Sequence, residues 1–188
     1  RAFLAERMPA LERRMLLEGW KAVEPALDAL RRELRAVGLW APAVPREWGG
    51  MGLTLLEFAR VSEELGRWIA GHYAFGVQAP DMGNMELLHA HGTDAQRERW
   101  LRPLAAGQVR SCFCMTEPTP GAGSDPSMLQ TTAERDGDDY VINGTKIWTT
   151  HAHHANRMFA LVRTSNEGKR QQGISFLLID MHSPGITV

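Results

Sequence analysis

The sequence predicts an α+β protein, with an N-terminal all-α helical domain followed by an antiparallel β-domain. Three observations carry this. Apolar residues recur at three- and four-residue steps between capping signals through the first half of the chain. Short β-branched and aromatic runs, separated by turn residues, follow in the second half. A stretch rich in glycine and proline opens that second half. The expected domains are residues 1–110, helical, and 111–188, β.

The helical half is read cap by cap. Pro25 suits a first helical turn, Leu27, Leu30, Leu34 and Val37 form the buried stripe, and Gly38 suits the position beyond. Arg31, Arg32, Glu33 and Arg35 lie between the stripe residues and read as a solvated face. A loop with Pro42, Pro45, Gly49, Gly50 and Gly52 follows. Thr54 and Glu57 then have capping-box spacing, with Leu55, Phe58, Val61 and Leu65 as the next apolar stripe. A further helix is expected within residues 68–89. Thr93 and Gln96 repeat the cap before Trp100 and Leu101, and Pro103 should stop that helix. Arg1, Glu6, Arg7, Glu12, Arg13 and Arg14 read as exposed helix surface.

In the second half, residues 112–116 are short and mostly apolar, as a strand requires, and the run breaks at Glu117-Pro118. Residues 130–135 read as extended, Asp136-Gly137-Asp138 as a hairpin turn, Tyr140-Val141-Ile142 as a strand, and Asn143-Gly144 as a second hairpin turn. Residues 146–150 are expected to return as a strand, with residues 159–163 and 174–179 as further strands.

Composition bounds the function. The chain has 188 residues, 44% hydrophobic, and a formal net charge of −1, enough for one or two domains with a sizeable core. Near-neutral charge gives no electrostatic case for nucleic acid. No apolar run reaches membrane-spanning length, and no signal peptide is expected. The two cysteines, Cys112 and Cys114, fall on one face of one predicted strand, which suits a reducing compartment better than a disulfide framework.

Several residues could carry chemistry. Successive amides of the turn around Gly123, with the Ser124 hydroxyl, could form a donor site for a phosphate or a thioester carbonyl. On spacing alone this is equally a plain loop. It is not the dinucleotide fingerprint, because the third glycine is absent and Asp125-Pro126 follows. On a strand, Trp148 and Thr150 would share a face, offering an apolar wall and a hydroxyl donor to a flavin. Spacing alone leaves Trp148 as core. His151, His153 and His154 read as an exposed loop, without recognised metal-ligand spacing.

The run Cys112-Phe113-Cys114-Met115-Thr116-Glu117-Pro118, then Gly121-Ala122-Gly123-Ser124-Asp125, then Asn143-Gly144-Thr145-Lys146-Ile147-Trp148-Thr149-Thr150, resembles the flavin- and substrate-binding signature of the acyl-CoA dehydrogenase family. The likeness extends upstream through Trp48-Gly49-Gly50-Met51-Gly52 and Gly92-Thr93-Asp94-Ala95-Gln96 and covers most of the chain. Residues 79–86 resemble the subgroup acting on long or branched acyl chains. One departure is that Thr119-Pro120 intervenes between Glu-Pro and Gly-Ala-Gly-Ser-Asp; an outward bulge is expected there.

The resemblance implies FAD-dependent oxidation of acyl-CoA to 2,3-enoyl-CoA, by α-proton abstraction and β-hydride transfer to flavin N5. It implies cofactor contacts at Phe113, Met115, Thr116, Trp148 and Thr150, and substrate or phosphate contacts at Gly123 and Ser124. No catalytic residue is expected in this chain. The base belongs to the family's C-terminal four-helix domain, before which the chain would be truncated, and Glu117 belongs to the binding loop. FAD would lie between the middle and C-terminal domains, near a neighbouring subunit. Partners implied are an acyl-CoA substrate, an electron-transferring flavoprotein, and further copies in a homodimer or homotetramer. The setting would be cytoplasmic in a bacterium, mitochondrial or peroxisomal in a eukaryote. A non-catalytic acyl-CoA-binding or assembly subunit, and an acyl-CoA oxidase, are the alternatives.

Overall fold

A computed structural model describes residues 1–119 and 123–188. It divides into two compact units, Arg1–Gln108 and Val109–Val188.

The first unit is helical. Helices α1 (Ala2–Glu18) and α2 (Trp20–Ala36) are separated by Gly19, whose φ of +85° breaks the helical run. α3 (Leu55–Leu65), the single turn α4 (Gly71–Ala74) and α5 (Asp81–His91) follow. A last helical run comprises α6 (Asp94–Gln96), a π turn (Arg97–Leu101) and α7 (Arg102–Ala105). Both predicted capping boxes form. The Glu57 amide donates to Thr54 Oγ1 at 3.4 Å and the Thr54 amide to Glu57 Oε2 at 2.8 Å. The Gln96 and Thr93 amides do the same at 3.2 and 2.9 Å. Leu4, Met8, Val23, Leu27, Leu30, Leu34, Phe58 and Leu65 are buried in one core.

Five expectations change here. Val37 lies beyond the end of α2 and is exposed, so the buried stripe there is Leu27, Leu30 and Leu34. Pro25 lies inside α2 rather than in its first turn. Pro103 does not stop its helix, because the π turn widens the preceding backbone and the Arg102 amide reaches back to Arg97 O. Leu55 heads α3 and is 82% exposed, so the stripe there is Phe58, Val61 and Leu65. Arg31 is not on a solvated face. It is 7% exposed, with its guanidinium 4.7 Å from the Trp40 ring centroid and 4.4 Å from that of Tyr73, and it donates to Tyr73 O. Trp40 is the hub, since its indole donates to Ala105 O at 2.7 Å. A Cβ added at Gly76 or Gly107 would come within 2.4 or 2.6 Å of its ring.

The second unit is a five-stranded sheet built on a central strand β4 (Arg157–Arg163). One edge of β4 pairs antiparallel with β5 (Ile174–Asp180) from Arg157↔Asp180 to Arg163↔Ile174. The other edge pairs parallel with β1 (Ser111–Cys114), then through Thr132↔Arg163 with β2 (Thr132–Asp136). The hairpin of β2 and β3 (Asp139–Asn143) turns at Gly137-Asp138, as expected. The sheet is therefore mixed rather than wholly antiparallel. A long connection separates β1 from β4, and such a crossover is what parallel pairing requires. Cys112, Cys114, Ala160 and Val162 pack on one face. On the other, the Phe176 ring lies 5.9 Å from both Phe113 and Phe159.

Candidate functional site

After β1 the chain leaves the sheet and its backbone groups need new partners. The segment following β3 supplies them. Lys146 Nζ donates to Met115 O at 3.1 Å, the Ile147 amide to Thr116 O at 2.9 Å, and Lys146 Nζ to Glu117 Oε1 at 2.8 Å. Three consecutive residues are thus fastened to two. The Glu117 amide in turn donates to Gly123 O at 3.1 Å, which closes the turn. Glu117 Oε2 accepts from the Gln130 amide at 2.7 Å and Oε1 from the Thr131 amide at 2.9 Å.

Glu117 is 3% exposed. Burial acts to raise its carboxyl, but Lys146, Thr131 and the two amides outweigh this and hold it down to about 2. Lys146 is also lowered, because burial disfavours its ammonium while Glu117 and Cys114 pull it partly back; for a cation a downward shift weakens rather than strengthens the charged form. The pair therefore stabilises less than the carboxylate alone indicates. With its carboxylate engaged by Lys146 and two amides, Glu117 is a poor base.

The expected strand over residues 146–150 does not form, nor does the hairpin at Asn143-Gly144. β3 ends at Asn143, and Gly144 is needed for close approach instead, since an added Cβ would lie 2.3 Å from Thr131 Oγ1. Trp148 adopts a φ of +57°, which an alternating strand does not allow, so the shared face of Trp148 and Thr150 dissolves. Trp148 is not core either, being 86% exposed. A large apolar plane is thus left in solvent on a residue in left-handed conformation.

The other predicted site residues lie around the same ribbon. Phe113 stands in mid-β1, and Met115 and Thr116 are half-buried just beyond. Gly123 and Ser124 are exposed, with open space where a Gly123 Cβ would go. Thr150 is exposed two residues beyond the indole. Thr119 is exposed; Pro120, Gly121 and Ala122 lie outside the described residues, and with them most of the predicted bulge and cradle. The sequence reading missed Lys146 as the brace of the ribbon. Its spacing of 29 residues from Glu117 leaves no local signal.

Two neighbours complete the surroundings. Cys112 and Cys114 are buried with sulfurs 3.9 Å apart. The hydrogen bond from Cys112 and, against burial, those from Thr149 and the Lys146 charge bring Cys114 down to about 7. His151, at φ +63°, begins the histidine turn, where the rings of His153 and His154 lie 4.0 Å apart. Burial, then the charges of Arg110, His154 and His153, push His151 down. Among the described residues no group of three His, Cys, Asp or Glu is placed to hold a metal ion. An apolar cavity of about 340 Å³ in the helical unit, lined by Phe3, Leu39, Val61 and Phe75, shares no residue with the ribbon.

Two family models match the chain. Residues 1–108 match the acyl-CoA dehydrogenase N-terminal domain and residues 112–188 the acyl-CoA dehydrogenase middle domain. The chain belongs to the acyl-CoA dehydrogenase family. It is 41% identical over 172 residues to acyl-CoA dehydrogenase family member 11 of Gallus gallus, covering 90% of this chain and 22% of that one. A solved Mycobacterium abscessus structure with an unconfirmed acyl-CoA dehydrogenase designation matches with TM-score 0.90 and 37% identity, over 100% of this chain and 49% of that one. A Mycobacterium smegmatis glutaryl-CoA dehydrogenase, solved in complex with FADH2, matches with TM-score 0.64 and 28% identity, over 95% and 45%. The chain thus spans less than half the length of these relatives. None of its described helices is long and apolar enough to cross a membrane.

Proposed function

We propose that the chain is the N-terminal domain and part of the middle domain of an FAD-dependent enzyme that oxidises acyl-CoA thioesters to 2,3-enoyl-CoA. The observation that carries this reading is the solvent-exposed Trp148 indole at the end of a braced backbone ribbon. The residues present fit a flavin: an apolar plane, the Thr150 hydroxyl nearby, and half-buried Met115 and Thr116 beside them. Phe113, Met115, Thr116, Trp148 and Thr150 would hold the cofactor, and Gly123 and Ser124 the substrate or its phosphates. FAD, when bound, supplies the hydride acceptor.

The proton-abstracting carboxylate is assigned outside residues 1–188 on the family likeness alone, and Glu117, committed to Lys146 and two amides, is not put in its place. This piece alone is inactive on that reading. A long or branched acyl chain rests on the likeness at residues 79–86. An electron-transferring flavoprotein as acceptor, a homodimer or homotetramer, and a bacterial cytoplasmic or eukaryotic mitochondrial or peroxisomal setting follow from the family alone.

Anaerobic addition of acyl-CoA to the purified full-length protein tests the reading. Yellow protein that bleaches supports it. Protein that stays colourless after incubation with FAD overturns it. Yellow protein that never bleaches with any acyl-CoA makes it a non-catalytic subunit, and recolouring as fast as oxygen is admitted makes it an oxidase.

A further inference from the structure

We infer that Lys146 and Glu117 are positioning residues of the flavin site, and that their opposed charges balance the field there. The inference rests on the FAD reading above and adds to it two residues outside the assigned contact set.

The geometry is specific. Lys146 adjoins Ile147 and Trp148 in sequence, and its ammonium holds Met115 O at 3.1 Å. The same ammonium holds Glu117 at 2.8 Å, and the Ile147 amide holds Thr116 O at 2.9 Å between them. The two halves of the assigned cofactor surface, residues 115–116 and 148–150, are therefore joined through one side chain and one backbone hydrogen bond. A methionine, neutral and of similar length, could fill the space but has no donor for either the carbonyl or the carboxylate. The Lys146 and Glu117 side chains are only 10% and 3% exposed, so solvent screens their charges weakly.

Two separable consequences follow. The first is geometric: losing the ammonium frees the Met115 carbonyl and loosens the ribbon. The second is electrostatic. Removing the carboxylate leaves an uncompensated cation beside the site, which favours the more negative, reduced flavin. Removing the ammonium leaves an uncompensated anion, which disfavours it. A purely structural brace would not give the two changes opposite signs.

The test uses the full-length protein, with FAD affinity measured by titration of the apoprotein and flavin midpoint potential by dye-equilibrated reduction. Lys146→Met should weaken FAD at least tenfold and lower the potential, and Glu117→Gln should raise it. Lys146→Arg should restore most of the affinity lost in Lys146→Met. An unpaired buried charge can prevent folding, so the Lys146→Met/Glu117→Gln double variant, which buries neither charge, is the second arm. It should keep a potential near wild type while binding FAD at least tenfold more weakly. Potentials that move the same way in both single variants, or a folded double variant with wild-type affinity, would overturn the inference. Wild-type protein that takes up no FAD would remove the functional reading itself and this inference with it, an outcome distinct from any result confined to the variants.

Discussion

Arg31 and Lys146 are both cations drawn out of water, and they are held in opposite ways. Arg31 in the helical unit lies against the rings of Trp40 and Tyr73. Lys146 in the sheet unit is held by the Glu117 carboxylate. A guanidinium is planar, weakly hydrated and suited to aromatic faces, whereas an ammonium is a compact, strongly hydrated charge that needs an anion when buried. The difference teaches where each unit is vulnerable. Aromatic faces do not lose their π systems in acid, so the stacking of Arg31 on Trp40 and Tyr73 does not itself depend on a carboxylate. The Lys146 site depends on a carboxylate that can be protonated.

The largest effect should come from emptying the aromatic site. Trp40→Ala removes a buried indole, its bond to Ala105 O and the surface on which Arg31 and Arg35 stack. It should cost about 3–5 kcal/mol in denaturant unfolding. A loss below about 1 kcal/mol would show that the hub is not Trp40. Trp100→Ala, also buried, should fall in the same class, at about 3–5 kcal/mol.

Next comes acid. Glu117 is held down to about 2 in the folded chain, so its contribution is fully present above the unfolded value near 4.5 and is lost as pH falls toward 2. After allowance for the opposing shift of Lys146, that contribution is on the order of 2 kcal/mol. The stability gap between wild type and Glu117→Gln should narrow between pH 5 and about 3 on this linkage. The gap between wild type and Trp40→Ala should not. Parallel behaviour of the two gaps would erase the distinction between the sites.

Removing the Thr54 cap is a smaller change. Thr54→Ala should cost about 1 kcal/mol, measured as a shift in urea midpoint. Trp148→Ala should cost the least, within about 0.5 kcal/mol, because the indole is already in solvent. In the full-length protein the same change should nevertheless weaken FAD or slow flavin reduction far more than Trp100→Ala does. Equal flavin affinity and reduction rate in Trp148→Ala and wild type would remove the role assigned to the indole.

What could be read in the sequence was what neighbours decide. The caps at Thr54 and Thr93 are three-residue events, and the turn at Gly137-Asp138 is set by its own backbone. Leu27, Leu30 and Leu34 share one helix face and are buried together. Misread residues answer to distant partners. Arg31 looked solvated because charges surround it in sequence, yet Tyr73 is 42 residues away. Gly144 resembled a hairpin turn, but its need for space comes from Thr131. The candidate site was legible as a set of residue types through a family likeness. Its shape was not, because the ribbon is neither strand nor helix and depends on a buried ion pair that no periodicity announces.

The two thiols of the sheet give this chain a built-in clock. Both are sealed in the folded state, and the helical unit has none, so any alkylating reagent that consumes thiol must report an opening of the second unit. With Cys114 near 7, much of it is thiolate at neutral pH, so modification after exposure is fast and opening sets the pace. Mass-resolved labelling over hours would then time the opening of the sheet directly, without denaturant.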